Sequence, residues 1–162
     1  MVAYLYRGPV SIPGAITREP ESATVEDRVV DSTTYPTAFG VPVKIVSGKI
    51  QPVASGDAAT VIYGMLVRSF PDGASFDALG TSTPPTKGIV PVLKRGYIGV
   101  HVNAGTASLN STVYVRVANA ATGKPIGGIE AAADGPNTVI MANAYFTGAA
   151  DSSGYGEIAF NL

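Results

Sequence analysis

Apolar and polar residues alternate with a period of two along much of the chain. Val41-Pro42-Val43-Lys44-Ile45-Val46 is an early instance, and Thr112-Val113-Tyr114-Val115-Arg116-Val117 is the cleanest. Such a period sends successive side chains to opposite faces of an extended backbone, whereas a helix would repeat every three to four residues. The pattern predicts strands near 41–46, 60–67, 89–102, 112–117, 138–146 and 156–161. Ser47-Gly48-Lys49 turns the first of these into Ile50-Gln51-Pro52-Val53, a hairpin whose prolines suit edge positions. In the long run from Ile89 to Val102, Gly96 marks a bulge or bend between two strand halves. Ser22 to Val30 fits either a short helix capped by Ser22 or Thr24 or a strand, and the β-branched residues in its second half favour the strand.

The punctuation between these runs fixes the organisation. Pro9, Pro13 and Pro20, with Gly8 and Gly14, keep both helix and central strand out of the first stretch, which reads as an extended N-terminal arm over 1–22. The arm is not linker-like, because Tyr4, Leu5, Tyr6, Val10, Ile12 and Ile16 gain by docking on a surface. The segment from Phe70 to Lys87, with Pro71-Asp72-Gly73, Gly80 and Pro84-Pro85, is a long loop. Asn119 to Lys124 is a turn, and Pro125 to Ala133 is an irregular alanine-rich link. Several short strands without an amphipathic helix imply an all-β fold. The expectation is a single antiparallel β-barrel or sandwich, jelly-roll-like, spanning 23–162 behind the arm.

Composition narrows the function. The chain has 162 residues, enough for one core. Apolar residues make up 46% and charged residues only 14%, so the chain can fold, and part of its exterior is expected to be covered by neighbours. The net charge is -1, with 11 basic against 12 acidic side chains and no basic run, which argues against nucleic-acid binding. There is no cysteine, so disulfides, thiolate metal sites and cysteine nucleophiles are excluded together. No stretch approaches the roughly 18 apolar residues of a membrane-spanning helix. Arg7 follows the first apolar run instead of preceding it, the wrong order for a secretory signal, so a soluble and unexported protein is expected.

A search for chemistry finds little. The single histidine, His101, sits among β-branched neighbours on a predicted strand, without a Gly-x-Ser-x-Gly elbow to make it a relay. One histidine and no cysteine cannot build a zinc site. Asp57, Asp72, Asp77, Asp134 and Asp151 lack calcium-loop spacing and suit turns. Glu19, Glu21, Glu26, Asp27 and Asp31, interleaved with Arg18 and Arg28, read as a solvated or inter-subunit charged face. Thr122-Gly123-Lys124 lacks the first glycine of a phosphate loop and is followed by Pro125. The expectation is a chain with no catalytic residue, cofactor or metal, and hence not an enzyme.

Three ordered pieces carry a resemblance. They are Val92-Leu93-Lys94-Arg95-Gly96-Tyr97-Ile98-Gly99-Val100, then Ser111-Thr112-Val113-Tyr114-Val115, then the ending from Asn143-Ala144-Tyr145-Phe146-Thr147-Gly148-Ala149 to Glu157-Ile158-Ala159-Phe160-Asn161-Leu162. Together with Ala38-Phe39-Gly40-Val41-Pro42-Val43 upstream, they make the C-terminal two-thirds of the chain resemble the capsid decoration, or structural cement, proteins of tailed bacteriophages. The chain departs from that pattern in its long 70–87 loop, in lacking a Gly-Asp before the Val-Tyr-Val strand, and in its tyrosine- and proline-rich arm.

The resemblance implies a virion protein on the outer surface of the head, made in the host cytoplasm. It would bind the major capsid protein and bridge its subunits, and would associate with itself, as a homotrimer in preference to a homodimer. Fold likeness alone does not fix function, so a carbohydrate- or receptor-binding β-module of a phage fibre stands as the alternative, with an unusual hydrolase behind it. The candidate contacts to capsid or neighbouring subunit are the arm residues Tyr4, Tyr6, Arg7, Ile12, Ile16 and Arg18.

Overall fold

The computed structural model describes residues 11–18, 23–68 and 83–162. Nine strands follow one another among them: β1 (Thr24–Val29), β2 (Pro42–Val46), β3 (Lys49–Pro52), β4 (Gly64–Leu66), β5 (Ile89–Ala104), β6 (Thr112–Arg116), β7 (Ile129–Glu130), β8 (Thr138–Phe146) and β9 (Tyr155–Phe160). The helical segments described are two single 3-10 turns, Ala59–Val61 and Gly135–Asn137. The all-β expectation holds, as does the strand reading of 24–29. The strand expected over 60–67 contracts to Gly64–Leu66, because Val61 and Ile62 donate back to the carbonyls of Ala58 and Ala59 in the 3-10 turn.

The sixteen residues of β5 organise the molecule. Their first half pairs with β1 and β4, β4 pairs with β2, and β2 pairs with β3. A parallel bridge between Val30 and Ile50 brings the end of β1 back to β3, so these five strands form an N-terminal ring. The second half of β5 pairs with β9, and the ladder continues through β8, β6 and β7 and returns to β5. That is a second ring, antiparallel except for the β5–β7 pair. The change of partners falls between Arg95, opposite Thr24, and Gly96, opposite Phe160. Gly96 makes this bend at φ 134°, a conformation that side chains with a Cβ rarely adopt.

Alternation along the shared strands divides the core in two. Val90 and Val92 of β5 and Leu66 of β4 face the N-terminal ring, where they pack with Val30, Phe39, Val43 and Ile50. Leu93 of β5 and Met65 of β4 point the other way and join Ile98, Val100, Val113, Val115, Met141, Phe146 and Ile158 of the C-terminal ring. Each fully buried side chain of this kind contributes about 1.5–3 kcal/mol, so each ring holds an apolar core of its own on one side of the β4–β5 wall.

Candidate functional site

Residues 11–18, expected as part of the arm, lie along β5 and extend the domain's own sheet. Gly14 N–H donates to the Gly99 carbonyl at 2.9 Å, Gly99 N–H donates to Ala15 at 2.9 Å, and Thr17 N–H donates to Tyr97 at 3.3 Å. Arg68 N–H donates to Gly14 from the other side. The approach is close where Gly14, Gly40 and Gly99 meet. A Cβ on Gly40 would fall 2.6 Å from the Gly99 carbonyl oxygen and 2.7 Å from Gly14 N. Ser11 is buried at the head of this segment and its hydroxyl donates to the Gly156 carbonyl at 3.1 Å.

Of the expected contact residues, Tyr4, Tyr6 and Arg7 lie outside the described residues. Ile12 is half-buried, and Ile16 is exposed where its backbone bridges to Ile98. Arg18 already has partners within the chain: its guanidinium lies 3.8 Å above the Tyr97 ring and donates to Glu157 Oε1 at 2.7 Å. Burial opposes the ionisation of Glu157, but hydrogen bonds from Arg18 and Thr147 outweigh it and hold the carboxyl below its ordinary value.

Ile12 and Pro13 form one edge of a groove of about 600 Å³ at the seam between the two rings. Phe39, Pro42 and Val53 wall it on the N-terminal side, and Ile126 and Ile129 on the C-terminal side. His101, Asn103, Tyr155 and Arg68 supply its polar margin. His101 meets the Tyr155 ring edge-on at 5.6 Å, and among the described residues no three His, Asp or Glu side chains are placed to hold a metal ion. The groove therefore offers apolar contact with a few hydrogen-bonding groups, a surface suited to binding a side chain or peptide.

The C-terminal wall of the groove is held by a buried arginine. Arg116 sits on β6 and uses all five guanidinium donors: two on Glu130 of β7, one on Asp134 at 2.6 Å, and one each on the carbonyls of Ala118 and Asn119. Its pKa is raised, first by the bond to Glu130 and next by that to Asp134. Arg116 and Glu130 form a buried ion pair that strand patterning did not single out. The available signal was a lone arginine inside an otherwise uncharged strand.

The charged face expected around residues 19–31 is resolved in part. Glu19 and Glu21 lie outside the described residues. Glu26 and Arg28 pair at 2.6 Å, and Arg28 also donates to the Tyr63 hydroxyl at 2.7 Å. The Lys94 ammonium stands 3.4 Å from the centre of the Tyr63 ring. The hydrogen bond from Tyr63, ahead of that from Arg28, holds the Glu26 carboxyl below its ordinary value. Asp151 accepts the backbone N–H groups of Ser153 and Tyr155, the turn role expected of it, and Asp31, expected on the charged face, accepts those of Thr33 and Thr34 in the same way.

A family model described as "Structural cement protein (E217 gp24/Pam3 gp6)" matches residues 3–161. The chain belongs to this structural cement protein family. The match extends over arm, rings and loop alike, beyond the C-terminal two-thirds that carry the resemblance in sequence. Membership implies a structural, capsid-stabilising role as a virion component, and association with the capsid. Among solved structures, a chain of "The capsid of Myoviridae Phage XM1" shares the fold with a TM-score of 0.68 and 18% identity, over 98% of this chain and 95% of that one. No curated protein matches the sequence.

Proposed function

We propose that this cement protein binds the outer surface of a phage head and stabilises the lattice by bridging neighbouring major capsid subunits, acting as a homotrimer. The family match over residues 3–161 carries the reading. Its support within the chain is a surface with few charges and with exposed apolar side chains, Ile89, Leu109 and Ile140, each more than half exposed. In this reading the arm reaches a neighbouring molecule through Tyr4, Tyr6, Arg7 and Ile16, while Ile12 and Arg18 fix its root on the domain.

The test is addition of the purified protein to expanded heads assembled without it. Saturable binding together with a higher temperature of head disruption is expected. Failure to bind, or binding that leaves head stability unchanged, refutes the role for this chain. Light scattering at micromolar concentration reads the association state, and a monomer there removes the trimer from the proposal.

A further inference from the structure

The seam groove has no partner among the described residues, and the chemistry beside it identifies one. We propose that it is the seat for residues 1–10 of a second copy of this chain, so that cement subunits are joined by exchanged arms. The inference rests on the reading of the arm as a contact element and specifies what it contacts.

The groove is preformed. Five prolines line it, Pro13, Pro36, Pro42, Pro52 and Pro125, which stiffen its walls and remove backbone donors that would otherwise need water. A stiff apolar slot of about 600 Å³ falls in the range that accommodates a few large side chains at little ordering cost. Residues 1–10 offer matching chemistry: Tyr4, Leu5 and Tyr6 are consecutive large apolar groups, flanked by Val2 and Val10, with Arg7 the single charge. The tyrosine hydroxyls suit a margin that carries Asn103, His101 and Tyr155.

The sequence of the segment favours a second copy over the same chain. Residues 1–10 join the domain at Ser11, which is buried and tied to Gly156, while Ile12 already forms the groove's edge. Ser11, Ile12 and Pro13 themselves line the groove, so a return into it by the same chain competes with an extended path to a second copy. Pro9 fixes its own φ and disfavours the helical region for Gly8, which favours the extended path. Fully extended, ten residues reach about 33 Å. A head-to-tail contact of this kind, groove to arm, closes into a ring when the rotation between copies permits, which is how a trimer would form.

The absence of cysteine makes the test clean. Two preparations carrying different mass tags are made, one with Tyr4→Cys or Tyr6→Cys and the other with Asn103→Cys or Ile126→Cys. They are unfolded together, refolded as full chains without heads, and mildly oxidised. A disulfide joining the two tags in at least one of the four pairings is expected, and deletion of residues 1–10 should convert the oligomer to monomer with the β-type circular dichroism retained. No hybrid disulfide in any pairing overturns the proposal. So does an intrachain disulfide, without hybrid, in the Tyr6→Cys/Ile126→Cys double variant. Head binding by the unmodified chain, measured in parallel, separates the two readings. Binding without hybrid disulfides leaves the cement role standing and ends the arm exchange; hybrid disulfides without head binding do the reverse.

Discussion

Gly99 and Ser11 approach so closely that a Cβ built on Gly99 would stand 2.3 Å from the Ser11 hydroxyl oxygen and 2.5 Å from the Ile12 carbonyl oxygen. Neither neighbour can yield cheaply, since Ser11 is buried and hydrogen-bonded to Gly156. Gly99→Ala should therefore lift the segment at 11–18 away from β5. The expected cost is about 1–3 kcal/mol, the range for overpacking. Limited proteolysis checks it: new cleavage before residue 18 is expected in the variant, and an unchanged digestion pattern would show that the contact relaxes without releasing the segment.

Two truncations should behave differently. Removal of residues 1–10 leaves every described contact within the chain in place, so the melting temperature should stay within a few degrees of that of the full chain diluted to monomer. Removal of residues 1–17 takes away four backbone hydrogen bonds between the segment and β5 or Arg68, together with the bond from Ser11 to Gly156. At about 1 kcal/mol per bond, and 2–4 °C per kcal/mol for a chain of this size, a fall on the order of 10 °C is expected. Equal melting temperatures for the two truncations would contradict the docking of 11–18.

Arg116→Ala should be among the most damaging single substitutions. It leaves Glu130, itself only 1% exposed, as an uncompensated buried charge, and loss of one partner of such a pair costs about 3–5 kcal/mol. Asp134→Asn should be far milder, because the Asp134 side chain is 43% exposed and water replaces the lost partner. Urea unfolding of both variants measures the contrast, and similar midpoints would show that Glu130 does not depend on Arg116.

Acid should weaken the fold through Glu157. Its carboxyl titrates below the ordinary 4.5 in the folded chain, so its contribution is complete above about that pH and is lost as the pH falls through the lower, folded value. The melting temperature should therefore decline as pH drops from about 5 towards 3. Glu157→Gln should be less stable than the parent at pH 7 and should show a shallower decline over that window. Asp31 and Asp57 are also depressed and leave part of the slope in place. An identical slope in parent and variant would assign the acid sensitivity elsewhere.

The parts of this fold that were legible in sequence are those governed by local periodicity. Thr112 to Arg116 alternates apolar and other residues, with Val113 and Val115 buried and Thr112 and Tyr114 not, and the strand appears where that alternation places it; Thr138 to Phe146 was legible as an apolar run, although its buried positions, Thr138, Met141 and Phe146, do not keep a period of two. Gly96 likewise announced a bend in an otherwise continuous apolar run. What could not be read are pairings set by closure of the rings. Arg116 meets Glu130, fourteen residues away, because β6 and β7 are neighbours and Tyr114 stands opposite Glu130. Ser11 meets Gly156 only because both flank β5. The arm's proline content marked it as extended, but its root at 11–18 joins the sheet through donors on the residues between and after those prolines, such as Gly14 and Thr17.

The single strand common to both rings also determines how the molecule transmits load. If one ring is held by a neighbour and the other is drawn outward by a swelling shell, the tension passes along β5, between residues 89 and 104. Pulling along a strand loads its flanking hydrogen bonds together in shear, so the ladders to β1 and β4 on one half and to β9 and β7 on the other resist as sets and do not open one bond at a time. In mechanical terms β5 is a tie rod gripped by a socket at each end, and the bend at Gly96 is where such a rod would first yield.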